Sequence, residues 1–318
     1  MSATEPSARP TVSVVVPTIG RPILSEVVGR AIEQNPFEVI VVADANAIGV
    51  REILGASGLE VGPRVRVVAG PGEGAALARQ AGADLATGDI VLFLDDDVVP
   101  APGLIAGHRA AHERAPNRVV VGYLPVAPEL VRTSVTAAIY SADYETECRL
   151  IDEHPDLLLL ALWGGNVSLR RADCERIPQA SDAFKHLLLE DTEFGLRCSR
   201  AGMDGVFDRN LAAVHHHDQP VEVFLEVAVR QTQASAILHA QYQGFALLPE
   251  PADGVRLVAR AVLGVTRAPV IGPGLRTAIT RTAIRLGRGR PTRLRIRAVA
   301  FARVVVQVAA VPTGNGPR

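Results

Sequence analysis

Three consecutive carboxylates, Asp95, Asp96 and Asp97, follow directly on the apolar run Ile90–Leu94. That run reads as a buried strand, so the acids emerge where a central strand leaves the core. Three like charges this close repel one another and are costly to keep ionised unless water, donors or a cation compensates. A divalent ion bridging phosphate oxygens is an economical compensator, because magnesium sites use one or two carboxylates plus substrate phosphates. The plain alternative is a solvated acidic turn. Further chemistry-bearing residues are Asp44, after the β-rich run Val39–Val42, the pair Glu190-Asp191, and His215-His216-His217. The Glu-Asp pair is either reactive or a set of solvated first-turn helix charges. The histidines are either metal ligands or a plain loop cluster, and in an extended segment His215 and His217 share one face with His216 on the other.

The elements that position these residues alternate. Thr11–Val16 reads as a first strand closed by Pro17, Pro22–Glu33 as a helix, Val39–Val42 and Val65–Val68 as strands, and Ala75–Asp84 as a helix before Ile90–Leu94. Such alternation predicts an α/β fold with a mostly parallel sheet, in which ligands bind at the carboxyl ends of the strands. Asp44 and Asp95–Asp97 both fall at that edge. The loop Gly70–Gly74 resembles a phosphate cradle but has neither the GxGxxG nor the GxxxxGK spacing, and a tight turn is the better expectation. Farther on, Arg118–Gly122 reads as a short strand, Val167–Arg170 as a short alternating run, and Val214–His217 closes the unit. Ser134–Cys148, Phe184–Arg200, Glu222–Leu248, Leu257–Val265 and Leu275–Leu286 read as helices.

The 318 residues are 48% apolar, enough for a full core and a second, smaller unit. Cys148, Cys174 and Cys198 are too scattered for a disulfide framework or a clustered zinc site, which favours a reducing compartment. The first residues lack the pattern of a signal peptide, and no apolar stretch is long enough to span a bilayer, so a cytoplasmic location is expected. The net charge of −1 hides an asymmetry: residues 251–318 hold 13 Arg and one acid, Asp253, whereas residues 1–250 hold 20 basic and 33 acidic residues. An Arg-rich amphipathic tail of this kind either lies on an anionic membrane or forms a packing or oligomer surface. The lack of interleaved aromatics and lysines speaks against nucleic acid.

In order and context, the acidic stations and histidines resemble family 2 glycosyltransferases of the GT-A type. The resemblance rests on VSVVVPTIGRP at 12–22, ARQAGADLATGDIVLFLDDD at 78–97, WGGNVSLRR at 163–171 and EDTEFGLRCSRAG at 190–202. It implies a Rossmann-like, mixed but mostly parallel sheet flanked by helices, over residues 1–225. A nucleotide-binding half would occupy about 11–100 and an acceptor half 101–225, with a helical Arg-rich extension at 226–318.

The resemblance also implies roles. Pro17, Thr18 and Arg21 would border the nucleotide, and Asp44 would accept from its base, although Ala43 and Ala45 stand where the family often has an acid and a glycine. Asp95 and Asp96 would contact the ribose or support the ion, and Asp97 would ligate Mg²⁺ or Mn²⁺ with His215 or His217 completing the shell. Asp191 would be the general base of an inverting displacement, with Glu190 positioning the acceptor, and Trp163, Gly164, Gly165 and Asn166 would form the acceptor-side loop. The expected partners are a nucleotide-diphosphate sugar and a lipid-linked or cell-envelope glycan, on the inner face of the membrane. The alternatives are a soluble transferase acting on a small molecule or protein, a catalytically silent sugar-nucleotide binder, and a nucleotidyltransferase.

Overall fold

The structure is a computed structural model that describes residues 9–184, 186–242 and 272–310. β1 (Val12–Thr18), β2 (Glu38–Ala43), β3 (Val65–Ala69) and β4 (Ile90–Leu94) are short, Val-rich and mostly buried along their whole length, the composition of parallel strands covered on both faces. Between them run α1 (Leu24–Ile32), α2 (Ala47–Ala56) and α3 (Ala75–Leu85). In α1 the buried Leu24, Val27, Val28 and Ala31 fall at helical spacing. α3 lies against β1 so closely that a side chain at Gly82 would run into Val15.

The sheet has eight strands in the order β3-β2-β1-β4-β7-β6-β8-β5. The first four are parallel. β7 (Asn166–Arg170) runs antiparallel to both β4 and β6 (Arg118–Tyr123). β6 pairs in parallel with β8 (Asp204–His215), which is antiparallel to β5 (Val98–Pro100). The remaining α-helices among the described residues are α4 (Leu104–Arg114), α5 (Pro128–Thr133), α6 (Val135–Glu153), α7 (Arg171–Arg176), α8 (Glu190–Arg200), α9 (Val221–Gln241), α10 (Gly272–Gly287) and α11 (Arg293–Ala310).

Several elements differ from the sequence expectation. Pro17 lies inside β1 rather than closing it. Thr18 O accepts from Asp44 N on the β2 side, so by alternation the Pro17 nitrogen faces β4, past the last β4 pair at Val15↔Phe93, and no sheet bond is lost. The helix expected from Phe184 begins only at Glu190, because Leu189 takes a left-handed φ of 69° that breaks the helical path. The segment Val214–His217, which closes the unit in the sequence, holds the end of β8, a strand that starts at Asp204 and stops at His215. The expected helix Leu257–Val265 lies outside the described residues.

Two compact units emerge. The first comprises the described residues up to Pro125 together with Ile151–His186 and Glu190–His215, and so holds the whole sheet. The second comprises Val126–Leu150, Leu187–Leu189 and the described residues from His216 onward. Its core joins Val221, Phe224 and Leu225 of α9 to Ala283 of α10 and Val299 and Ala302 of α11, with Val135 and Ile139 of α6. Among the described residues no helix is long and apolar enough to cross a membrane.

Candidate active site

The carboxyl ends of β1, β2 and β4 bring the strand-end residues to one edge of the first unit, and the three consecutive aspartates there do different things. Asp96 turns inward: its Oδ2 accepts from Thr18 Oγ1 at 2.6 Å and Ile19 N at 3.3 Å, and its other oxygen pairs with Arg21. Burial pushes the Asp96 pKa up, against the opposing pull of Thr18 and Arg21. Asp96 thus ties the turn after β1 to the end of β4. Arg21 also lies 3.7 Å from Asp97 Oδ2. Pro17 is the strand residue just before this tie.

Asp97 faces β8, with its Oδ1 3.5 Å from His215 Nε2. Two ligands of a common ion, each about 2.1–2.2 Å from it, stand roughly that far apart, and carboxylate oxygen with imidazole nitrogen is a donor set that Mn²⁺ accepts. The residues present therefore fit a divalent ion. His217 belongs to the second unit, where its ring lies 4.4 Å from that of Tyr140, and His216 approaches Glu129 at 3.9 Å.

Asp44 ends β2 and is held by the glycine loop. Gly72 N donates to its Oδ1 at 2.9 Å and Gly74 N to its Oδ2 at 2.8 Å. The loop is a tight turn whose amides cradle a protein carboxylate, and a side chain at Gly70 would come within 2.9 Å of that carboxylate. Each Asp44 oxygen keeps a second lone pair for another donor.

Asp95 points the other way, to Arg79 of α3. This guanidinium is almost wholly buried and donates to Asp95 Oδ1 through Nη2 and to Asp191 Oδ1 through Nη1, both at 2.7 Å. Gly164 N completes the hold on Asp191 at its Oδ2, 2.9 Å away, and a side chain at Gly164 would press on that carboxylate. Gly165 O in turn accepts from Asp95 N at 3.2 Å. Burial raises the Asp191 pKa while Arg79 opposes it; Glu190 beside it is pushed up to about 7 by burial and by the Asp191 charge. Trp163 donates through Nε1 to Gly122 O at 3.2 Å and meets Phe207 edge-on at 5.5 Å.

Asn166 is fully buried. Its amide donates to Leu211 O at 2.9 Å and accepts from His108 Nε2 at 2.9 Å, and His108 and His112 both bond Ser168 Oγ at 2.8 Å. It therefore braces β7 against α4 and β8 from within. Burial lowers the pKa of His108 to about 3 and of His112 to about 4, so both rings are neutral.

Sequence reading assigned no role to Arg79 or to this histidine network. The available signal for Arg79 was a lone charge on a helix face otherwise made of Ala76, Ala78, Gly82 and Ala83.

The sequence profile described as Glycosyl transferase family 2 matches residues 13–175. Among curated protein sequences none matches this chain. A solved structure of mannosyltransferase PcManGT from Pyrobaculum calidifontis, in complex with GDP-Man and Mn²⁺, aligns over 96% of this chain and 88% of its own with a TM-score of 0.57 and 17% identity. A second, described as a mycobacterial protein, aligns over 78% of this chain and 81% of its own with a TM-score of 0.49 and 21% identity. With more than half its length matched by one profile, and with that profile spanning Asp44, Arg79, Asp95–Asp97 and the Trp163–Asn166 segment, the chain belongs to glycosyl transferase family 2.

Proposed function

We propose that this glycosyltransferase moves a sugar from a nucleotide-diphosphate sugar to a hydroxyl of a lipid-linked or cell-envelope glycan, by one displacement with inversion and with Asp191 as general base. The observation that carries the proposal is the Arg79 bridge, which fixes Asp191 and Asp95 2.7 Å either side of one buried guanidinium. A carboxylate whose pKa is raised by burial is a stronger proton acceptor than an exposed one, and Arg79 keeps it ionised and ready. Gly164 N holds the second oxygen at 2.9 Å, so each oxygen keeps one lone pair for another donor. Asp97 and His215 are the residues that would hold Mg²⁺ or Mn²⁺. When bound, the ion supplies Lewis-acid neutralisation of the departing diphosphate. The complex of PcManGT makes GDP-mannose with Mn²⁺ the first donor to try.

Nucleoside diphosphate release from a panel of UDP-, GDP- and dTDP-sugars, with Mn²⁺ and then with EDTA, tests the metal. Asp97→Ala should abolish transfer without lowering the unfolding midpoint, and wild-type turnover by that variant or in EDTA would overturn the assignment. For the base, Asp191→Asn should cut kcat by roughly 10²–10⁴ while donor affinity is kept. An equal loss of donor affinity, or a product of retained configuration, would refute it. A second reading gives the proton transfer to Glu190, because its pKa near 7 matches neutral operation. It predicts that Glu190→Gln removes the acidic limb of the pH–kcat profile, with a larger loss than Asp191→Asn causes.

A further inference from the structure

The amino ends of the same strands carry a second concave site. A groove of about 780 Å³ is lined by Thr11 and Val12 at the start of β1, Phe37 and Glu38 at the start of β2, Arg64 and Arg66 at β3, and Arg9 and Arg109 on the rim. It lies at the opposite end of the sheet from Asp96 and Asp44, roughly 20 Å away at the rise of a seven-residue strand. Four guanidinium groups meet one carboxylate there. That carboxylate is already engaged: Glu38 Oε1 accepts from Ser13 Oγ, Thr87 N and Thr87 Oγ1 at 2.8 Å each, and Oε2 accepts from Arg66 at 2.5 Å. Arg64 is pre-set by bonds to Asn35 Oδ1 and Pro36 O, both at 2.8 Å. Arg9 and Arg109 have no acidic partner among the described residues. Beside these unneutralised charges Phe37 leaves half of its surface in solvent.

We infer that this groove binds a phosphorylated small molecule, its phosphate held by Arg9, Arg64 and Arg109 and its ring laid on Phe37. Guanidinium groups match phosphate oxygens in a forked, charge-assisted geometry, and a pocket this size takes a ligand well beyond a single phosphate.

The test uses the full chain in EDTA, titrated calorimetrically with inorganic pyrophosphate and with ADP. One saturable site is expected for each. Arg9→Ala combined with Arg109→Ala should weaken both at least about tenfold, since charge-assisted bonds are lost, whereas Asp97→Ala should leave both unchanged. Neither arginine side chain makes a hydrogen bond or ion pair among the described residues, and an unaltered unfolding midpoint of the double variant confirms that its fold is kept. Phe37→Leu should weaken ADP and spare pyrophosphate. No saturable binding, equal affinity in the double variant, loss in Asp97→Ala, or indifference of ADP to Phe37→Leu would each overturn the inference. So would arginine-dependent binding to phosphatidylglycerol vesicles without pyrophosphate binding, which would make the face a membrane contact.

Discussion

Arg79 answers two carboxylates with one charge, and removing it would strand both. Arg79→Met should destabilise the protein by about 2–3 kcal/mol, below the range for a wholly buried pair because Asp95 and Asp191 keep 30% and 28% of their side-chain surface in water. Arg79→Lys should rescue part of that stability but little turnover, because one ammonium cannot reproduce the fork that orients both acids. Urea unfolding read beside kcat separates the two effects, and a Lys variant with full activity would remove Arg79 from the positioning of Asp191. At this scale the sequence showed Asp44, Asp95–Asp97 and Asp191 because acids at strand and helix ends stand out against apolar runs. It did not distinguish their partners: that Asp96 turns to Thr18 while Asp95 turns to Arg79 depends on neighbours 78 and 16 residues away.

The elements most legible beforehand were those whose core faces are plainly apolar. β4 occupies Ile90–Leu94 as expected, and α10 covers the expected Leu275–Leu286. α4 went unseen because His108 and His112 take core positions beside Leu104, Ile105 and Ala111, and histidine does not register in a hydrophobic period. α2 was equally faint, since Val50 and Leu54 are buried while Ile48 is exposed. The long first part of β8 was hidden by Asp208, Arg209 and Asn210 in its middle, where the pairing with β6 shifts register at Gly122/Tyr123.

α6 carries a group with a measurable pH signature. Burial, then the Asp143 charge, raises Glu147 to about 7 from an ordinary 4.5, so ionising it costs stability as pH rises through that window. The neutral histidines slope the other way, losing stability as pH falls below about 6.5, so the parent profile alone mixes both signs. The comparison with Glu147→Gln isolates one group: relative to the parent, the variant should gain about 2–3 kcal/mol between pH 5 and pH 8. A constant difference across that range would contradict the raised pKa.

For the whole molecule, the charge division along the chain becomes a question of what the arginines of α10 and α11 meet. Arg303 pairs with Asp143 and covers the Phe224 ring at 5.4 Å, and Arg288 reaches Glu222 at 3.3 Å, so some of the positive charge is spent inside the second unit. Arg281, Arg285, Arg293 and Arg297 remain exposed. The membrane proposal rests on these four. Replacing all four by Ser should weaken flotation with anionic vesicles by roughly 10²–10³-fold, at about 1 kcal/mol per charge near such a surface. Substitution is the better comparison than truncation, because removing α10 and α11 would bare Val221, Phe224 and Leu225. Equal flotation of parent and variant would leave the tail as a packing or oligomer element and favour a soluble acceptor. The seat of α3 on β1 has a consequence for how such an enzyme can diversify. Gly82 lies one turn beyond Arg79 on the same buried face, and the sheet leaves room there for hydrogen alone. Any larger letter at 82 would lift the helix and carry Arg79 off its two acids. Heritable variation in substrate preference is therefore channelled away from this helix.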